Sequence, residues 1–328
     1  MRREFPGADR SRPKARKGPR VAKRIAGRNR PASRRFLGII GPTVKSAVGP
    51  LRVAPARSRR GCRRQDQVVF MQPAVVVTGA SSGLGAGFAK LAAAEGTKVV
   101  LIARSRPELD ALAADLDPSG RLAVVLSLDL GEPRVGEVIA RELGARDLYC
   151  HILVNNAGFG LFGDAMELDR GRQLGIIDVN LRAATDLMLR FLPAMVARGS
   201  GAILNVGSVA GFAPGPHMAV YFASKAYLVS ISQALMREVR GTGVTVTCLC
   251  PGPLRTPFLA RAGADETALF KGIHKLDAEA AARAGWDAMK AGRALCIPGF
   301  GAKIAVMGTR LLPRAALLAL TGRLQRKR

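Results

Sequence analysis

The sequence predicts an α/β fold: a doubly wound parallel sheet of about seven strands with helices on both faces. Three observations carry this. From Ala74 onward, short apolar runs alternate with helical stretches. Most of those runs are continuously apolar, as in parallel strands covered on both faces. The first run ends in a glycine-rich turn, TGASSGLG (Thr78 to Gly85), that opens a helix.

The elements follow in order. AVVVTG (Ala74 to Gly79) reads as the first strand, and LGAGFAKLAAAEG (Leu84 to Gly96) as a helix stopped by Gly96. TKVVLIA (Thr97 to Ala103) is the second strand. PELDALAADL (Pro107 to Leu116) is a helix with Pro at its start. RLAVVLSLDL (Arg121 to Leu130) is the third strand and VGEVIAREL (Val135 to Leu143) the next helix. CHILVNNAG (Cys150 to Gly158) is the fourth strand with its exit, and one long helix is expected over Ile176 to Gly199. GAILNVGS (Gly201 to Ser208) is the fifth strand, GVTVTCLCPG (Gly243 to Gly252) the sixth, and ALCIPG (Ala294 to Gly299) the seventh. One domain, residues 71–328, accounts for this rhythm. Pro253 to Trp286 is expected to form a lid of one or two helices, extending to about residue 290, over an apolar pocket. The C-terminal stretch from Lys303 is apolar with a basic end and is broken by Pro313. It reads as a terminal helix, or as a segment for peripheral contact with an anionic membrane or a partner.

Charge divides the chain. Residues 1–70 carry 21 Lys/Arg against three acidic residues, two thirds of the net +27. This Arg-, Pro- and Gly-rich segment shows no apolar period and reads as a disordered basic extension. Three readings of it stand: an over-extended start ahead of Met71, a basic tail, and an Arg-rich targeting segment. No aromatic interleaving, zinc-finger or helix-turn-helix pattern accompanies the charge, so no specific nucleic-acid partner is expected. The five cysteines, Cys62, Cys150, Cys248, Cys250 and Cys296, form no CxxC. They fit buried side chains in a reducing, cytoplasmic setting. His151, His217 and His274 lack metal-ligand spacing, and no metal is expected.

Candidate chemistry clusters at strand ends, where ligands of open parallel sheets sit. In the first turn, Gly79 permits a tight bend, Gly83 a close approach of a pyrophosphate, and Gly85 close helix–strand packing. Ser81 and Ser82 add hydroxyl donors. The second strand ends in Arg104 rather than an acid, which favours a 2′-phosphate and therefore NADP(H). Asp129-Leu130 closes the third strand; the acid suits either an adenine amino group or a helix cap. Asn155 and Asn156 can bond strand-end backbone, while Ala157-Gly158 leave room for a ribose. Ser208 ends the fifth strand. Tyr221 and Lys225, in YFASK, lie four apart on one helix face, where a cation would lower the phenol's pKa. Asn180 sits inside the long helix, an unfavourable place for Asn that suggests a local kink.

TGASSGLG, NNAG, Asn180, Ser208, YFASK and Pro251-Gly252, in this order and spacing, resemble the short-chain dehydrogenase/reductase family in its one-domain, Rossmann-like form. The resemblance spans about Ala74 to Thr256. It implies that Tyr221 is the general acid–base and that Lys225 lowers its pKa and holds the nicotinamide ribose. It implies that Ser208 polarises the substrate carbonyl and Asn180 anchors a proton-relay water. Leu84, Leu130, Pro251, Gly252 and Thr256 join the turn residues in lining the cofactor, with Thr256 at the nicotinamide amide. A basic residue at the place of Arg104 goes with NADP(H) in that family. Many such relatives carry a second basic residue where this chain has Ser82, so NAD(H) is admitted as well. The expected substrate is a lipophilic carbonyl compound or matching secondary alcohol, and the expected assembly a homodimer or homotetramer. A 3-oxoacyl-thioester reductase shares every motif; a nucleotide-sensing regulator on the same fold would be expected to lack Ser208, Tyr221 or Lys225.

Overall fold

The computed structural model describes residues 71–264 and 276–325; the basic segment 1–70 lies outside the described residues. A seven-stranded, all-parallel sheet has the order β3-β2-β1-β4-β5-β6-β7. Its strands are β1 (Gln72–Thr78), β2 (Lys98–Ala103), β3 (Ala123–Ser127), β4 (Leu148–Asn155), β5 (Gly201–Val206), β6 (Val244–Leu249) and the short edge β7 (Leu295–Cys296). Ala74 to Val77 of β1 are fully buried, which is why that run carries no polar alternation.

Helices cover both faces. On one side α1 (Gly83–Ala94), α2 (Arg106–Leu116) and α8 (Ala278–Lys290) bury Phe88, Leu109 and Trp286, with α1 and α2 over β1, β2 and β3 and α8 over β5 and β6. On the other, α3 (Val135–Gly144), α5 (Ala184–Arg198) and α6 (Ala219–Glu238) bury Ile139, Met188 and Leu235. The remaining helices are α4 (Arg170–Ile177), α7 (Phe258–Ala262), α9 (Phe300–Leu311) and α10 (Arg314–Leu324). The break expected at Pro313 separates the last two.

The doubly wound sheet is present as expected, and the differences are local. The third strand stops at Ser127 rather than Leu130, because its partner β2 ends at Ala103, opposite Ser127. The single helix expected over Ile176 to Gly199 starts earlier, where the Asp169 carboxylate accepts from the Arg172 amide at 2.7 Å. It is then interrupted by a π-helical turn over Asp178–Ala183 that contains Asn180. Such turns often mark functional positions. A buried polar chain ties sheet to helix: the Asn155 amide donates to Asn205 at 2.9 Å, and Asn205 donates to the Ser232 hydroxyl of α6 at 2.8 Å. Among the described residues, no helix is long and apolar enough to cross a membrane.

Candidate active site

A cleft of about 1180 Å³ runs past the carboxyl ends of the strands, where the strand order reverses between β1 and β4. One end is built by the turn after β1. Gly79 adopts φ +64, and a Cβ there would lie 2.8 Å from the Asn156 amide nitrogen. A Cβ on Gly85 would run into the Gly79 carbonyl oxygen. Asn156 holds the turn by donating Nδ2 to the carbonyls of Thr78 and Gly79, at 2.9 and 3.0 Å. The Thr78 hydroxyl donates to the Val154 carbonyl and accepts from the amides of Asn156 and Ala157, clamping β1 to β4. Ser82 precedes α1 without capping it through its side chain, which leaves the first-turn amides for an anion.

Ser81, Ser82, Gly83, Leu84, Arg104, Asp129, Leu130, Ala157 and Gly158 line this end with Gly79 and Asn156; Gly85 lies behind the turn. Arg104 is exposed at the end of β2, with its guanidinium 3.9 Å from the Asp129 carboxylate. Asp129 also accepts from the Gly131 amide at 2.8 Å, a turn contact rather than a helix cap. Glu108, in the first turn of α2, also borders the cleft and was absent from the sequence reading. A tight glycine turn, uncapped helix amides and an arginine that among the described residues pairs with no acid other than Asp129 fit a dinucleotide phosphate chain. Pro251, Gly252 and Thr256 line the middle of the cleft, and Thr256 approaches Gly83 closely enough that a Cβ there would lie 3.0 Å from its methyl group.

Past the middle, four expected residues converge. Tyr221 and Lys225 are both buried on the inner face of α6. The Lys225 ammonium donates to the Val206 carbonyl at 2.7 Å and lies 5.8 Å from the centre of the Tyr221 ring. Ser208 caps a 3₁₀ turn (Val209–Phe212) by accepting from the Ala210 amide at 3.1 Å, and its hydroxyl also engages the Tyr221 phenol. The Asn180 side chain both accepts from and donates to the Phe159 backbone at 3.1 Å, and donates to Ser224 at 3.0 Å. Gly158 sits between these groups: a Cβ there would lie 3.0 Å from Asn180 Oδ1 and 3.6 Å from Lys225 Nζ.

The electrostatics depart from the sequence expectation. Burial pushes the Tyr221 phenol up to about 12, against the Ser208 hydroxyl, which pulls it down, and with Cys250 adding to the rise. Burial also holds Lys225 down, at about 8, with the Cys248 and Cys250 thiols opposing. Lys225 was expected to lower the phenol, but its ammonium is aimed at the Val206 carbonyl and both side chains are buried, so desolvation governs both groups. Two neighbours were missed. Cys248 and Cys250, with sulfurs 3.6 Å apart, are buried close to Lys225. Their alternate spacing on a strand shows that they share a face, but only the packing of α6 on β6 reveals what they face.

The outer part of the cleft is apolar. Phe159, Met218, Phe258 and Leu259 line it, and the Phe258 ring lies 5.3 Å from that of Tyr221. The expected lid is corrected in part. Trp286 is core: it packs against Phe88 at 6.5 Å and donates to Glu95 at 2.8 Å, so α8 belongs to the sheet layer. Residues 265–275 of the expected lid lie outside the described residues. The wall is completed instead by α9 and α10, through Ala302, Ala305, Val306 and Thr321. Gln325, buried at the end of α10, faces this part of the cleft with both side-chain amide atoms lacking a hydrogen-bond partner among the described residues.

Comparison with known proteins agrees with this geometry. Residues 73–267 match the family model described as short chain dehydrogenase. A sulfoacetaldehyde reductase from Chromohalobacter salexigens is 38% identical over 216 residues, covering 64% of this chain and 85% of the relative. A short-chain dehydrogenase from Sphingobium yanoikuyae, solved in complex with NADPH, superposes with a TM-score of 0.64 at 34% identity, covering 75% of this chain and 95% of that one. A bulky-bulky ketone specific alcohol dehydrogenase from Comamonas testosteroni superposes with a TM-score of 0.62 at 27% identity, covering 76% and 94%. With its seven-stranded dinucleotide-binding sheet and this match, the chain belongs to the short-chain dehydrogenase family, NAD(P)-dependent oxidoreductases that interconvert a carbonyl and an alcohol.

Proposed function

We propose that the protein reduces the carbonyl of a lipophilic ketone or aldehyde with NADPH, accepts NADH as a second donor, and oxidises the matching secondary alcohol in reverse. The observation that carries this reading is the convergence of Tyr221, Ser208, Lys225 and Asn180 on one cleft, between the Arg104 end and an apolar outer wall. The nicotinamide, when bound, supplies the hydride. Ser208 and Tyr221 donate hydrogen bonds to the carbonyl oxygen as negative charge develops on it. A phenol held up at about 12 is protonated at neutral pH, the form that an acid in the reduction needs. Lys225 holds the ribose hydroxyls and returns a proton toward Tyr221. Asn180, fixed by its bonds to Phe159 and Ser224, orients the water that connects Lys225 to solvent.

Arg104 takes the 2′-phosphate. Glu108, also at this end of the cleft, and Ser82 in the glycine turn support use of NADH as well. Residues 71–328 form the catalytic unit. We infer a homodimer or homotetramer, for which the exposed Leu174, Ile177 and Leu189 of α4 and α5 offer an apolar face. Light scattering of the purified chain tests this, and a monomer at micromolar concentration would refute it.

The related bulky-ketone enzyme agrees with the apolar wall. The small anionic substrate in the name of the sulfoacetaldehyde reductase suits it less well, since among the described residues Arg261 is the one cation lining the outer part. A 3-oxoacyl thioester also fits an apolar cleft and is the second reading. The decisive assay follows NADPH absorbance with bulky ketones, 3-oxoacyl thioesters and sulfoacetaldehyde. Turnover of bulky ketones with the highest kcat/KM supports the proposal, and preference for either of the other two overturns it.

A further inference from the structure

We propose that the C-terminal helix pair α9 and α10 docks on an anionic lipid bilayer, so that α9 lies between the membrane surface and the cleft. Among the described residues, thirteen large hydrophobic side chains are exposed, and eight of them belong to these two helices or their Leu312 link. On α9 they form one stripe: Phe300, Ile304, Met307 and Leu311 recur at helical spacing with exposures of 80%, 56%, 62% and 81%. The opposite side of the same helix, Ala302, Ala305, Val306 and Thr309, lines the cleft. A helix apolar on both sides is normally buried on both. Here the cleft takes one side, and the described residues leave the other uncovered.

Charge selects the occupant. No Asp or Glu follows Asp287 in the sequence. Lys303 and Arg310 flank the α9 stripe, and Arg314 and Arg323 lie on α10. An apolar stripe beside cations that form no ion pair among the described residues is the pattern of an interfacial helix on anionic lipid. A second copy of these two helices would bring like charges together. A nucleic acid would satisfy the cations and leave the stripe in water. Docking stands independently of which carbonyl is reduced.

The test uses the full chain carrying M307W. The natural Trp286 is only 2% exposed and does not report on lipid. The probes are vesicles of phosphatidylcholine with about 30% phosphatidylglycerol, with brominated acyl chains as quenchers. The emission should shift to the blue and be quenched on these vesicles, and quenching should need at least ~10-fold more lipid when phosphatidylcholine is used alone. Adding I304E and L311E, neither of which lines the cleft, should abolish quenching while circular dichroism and the NADPH-induced rise in melting temperature stay unchanged. The 1–70 segment is retained in both proteins, so adsorption through it alone leaves the indole unquenched. No quenching on the anionic vesicles overturns the proposal. So does equal quenching in the I304E/L311E background. A dimer that the same two substitutions dissociate, with no lipid effect, would assign the stripe to a second copy instead.

Discussion

Lys225→Met tests the electrostatics of the site through stability rather than turnover. Burial lowers Lys225 from its ordinary 10.5 to about 8, so the native state disfavours the ammonium. The unfolded chain therefore binds more protons than the native one between about pH 8 and 10.5, and stability rises with pH across that window. The full gap corresponds to about 3 kcal/mol, of which about 2–3 kcal/mol is recovered between pH 7 and pH 10. Tyr221 acts oppositely: its unfolded phenol ionises near 10 while the native one stays protonated to about 12, so stability falls above pH 10. Lys225→Met keeps Tyr221, and subtracting the two pH profiles isolates the lysine. The bond to Val206 is part of what sets the native pKa of the lysine, so only the pH-independent loss of packing cancels in the slope. Urea unfolding of the cofactor-free protein at pH 7, 8, 9 and 10 should show the parent gaining about 2–3 kcal/mol more than Lys225→Met. Parallel profiles would refute the assignment of a desolvated, strongly perturbed lysine.

The cofactor end makes two further predictions. Arg104→Ala removes a charge-assisted contact of about 1.5–3 kcal/mol and should weaken NADPH binding roughly 10- to 150-fold in a fluorescence titration, with little change for NADH; equal weakening of both rejects a phosphate-specific role. Gly85→Ala places a Cβ against the Gly79 carbonyl and the Asn156 amide, so it should lower stability by about 1–3 kcal/mol and weaken both nicotinamides together, as read by urea unfolding and titration; unaltered binding and stability would show that the turn has room to spare.

The sheet was legible because its strands are continuous apolar runs, and Ala74 to Val77 bear no polar side chain for the simple reason that both faces are covered. Asn180 was legible as a break, since an amide in mid-helix competes for backbone bonds, and it does take both the N–H and the C=O of Phe159. Trp286 misled because an Ala-rich segment after the last long strand reads equally as a lid or as a core helix. Its deciding partners, Phe88 and Glu95, lie some two hundred positions earlier in the chain. The spacing of Tyr221 and Lys225 was visible, but the Val206 carbonyl that turns the ammonium aside was not, nor the burial that separates their pKa values. The role of α9 and α10 as a wall was hidden for a similar reason: an apolar C-terminal helix does not announce which of its two faces meets the cleft.

Tyr221→Phe tests the central claim most directly, because it removes one hydroxyl and keeps the ring packed against Phe222 and Phe258. With a bulky ketone, kcat should fall by at least ~10²-fold, the usual scale for a positioned proton donor, with the dissociation constant for NADPH unchanged. Near-parental kcat in this variant would contradict the account and leave Tyr221 as a buried side chain beside the true acid.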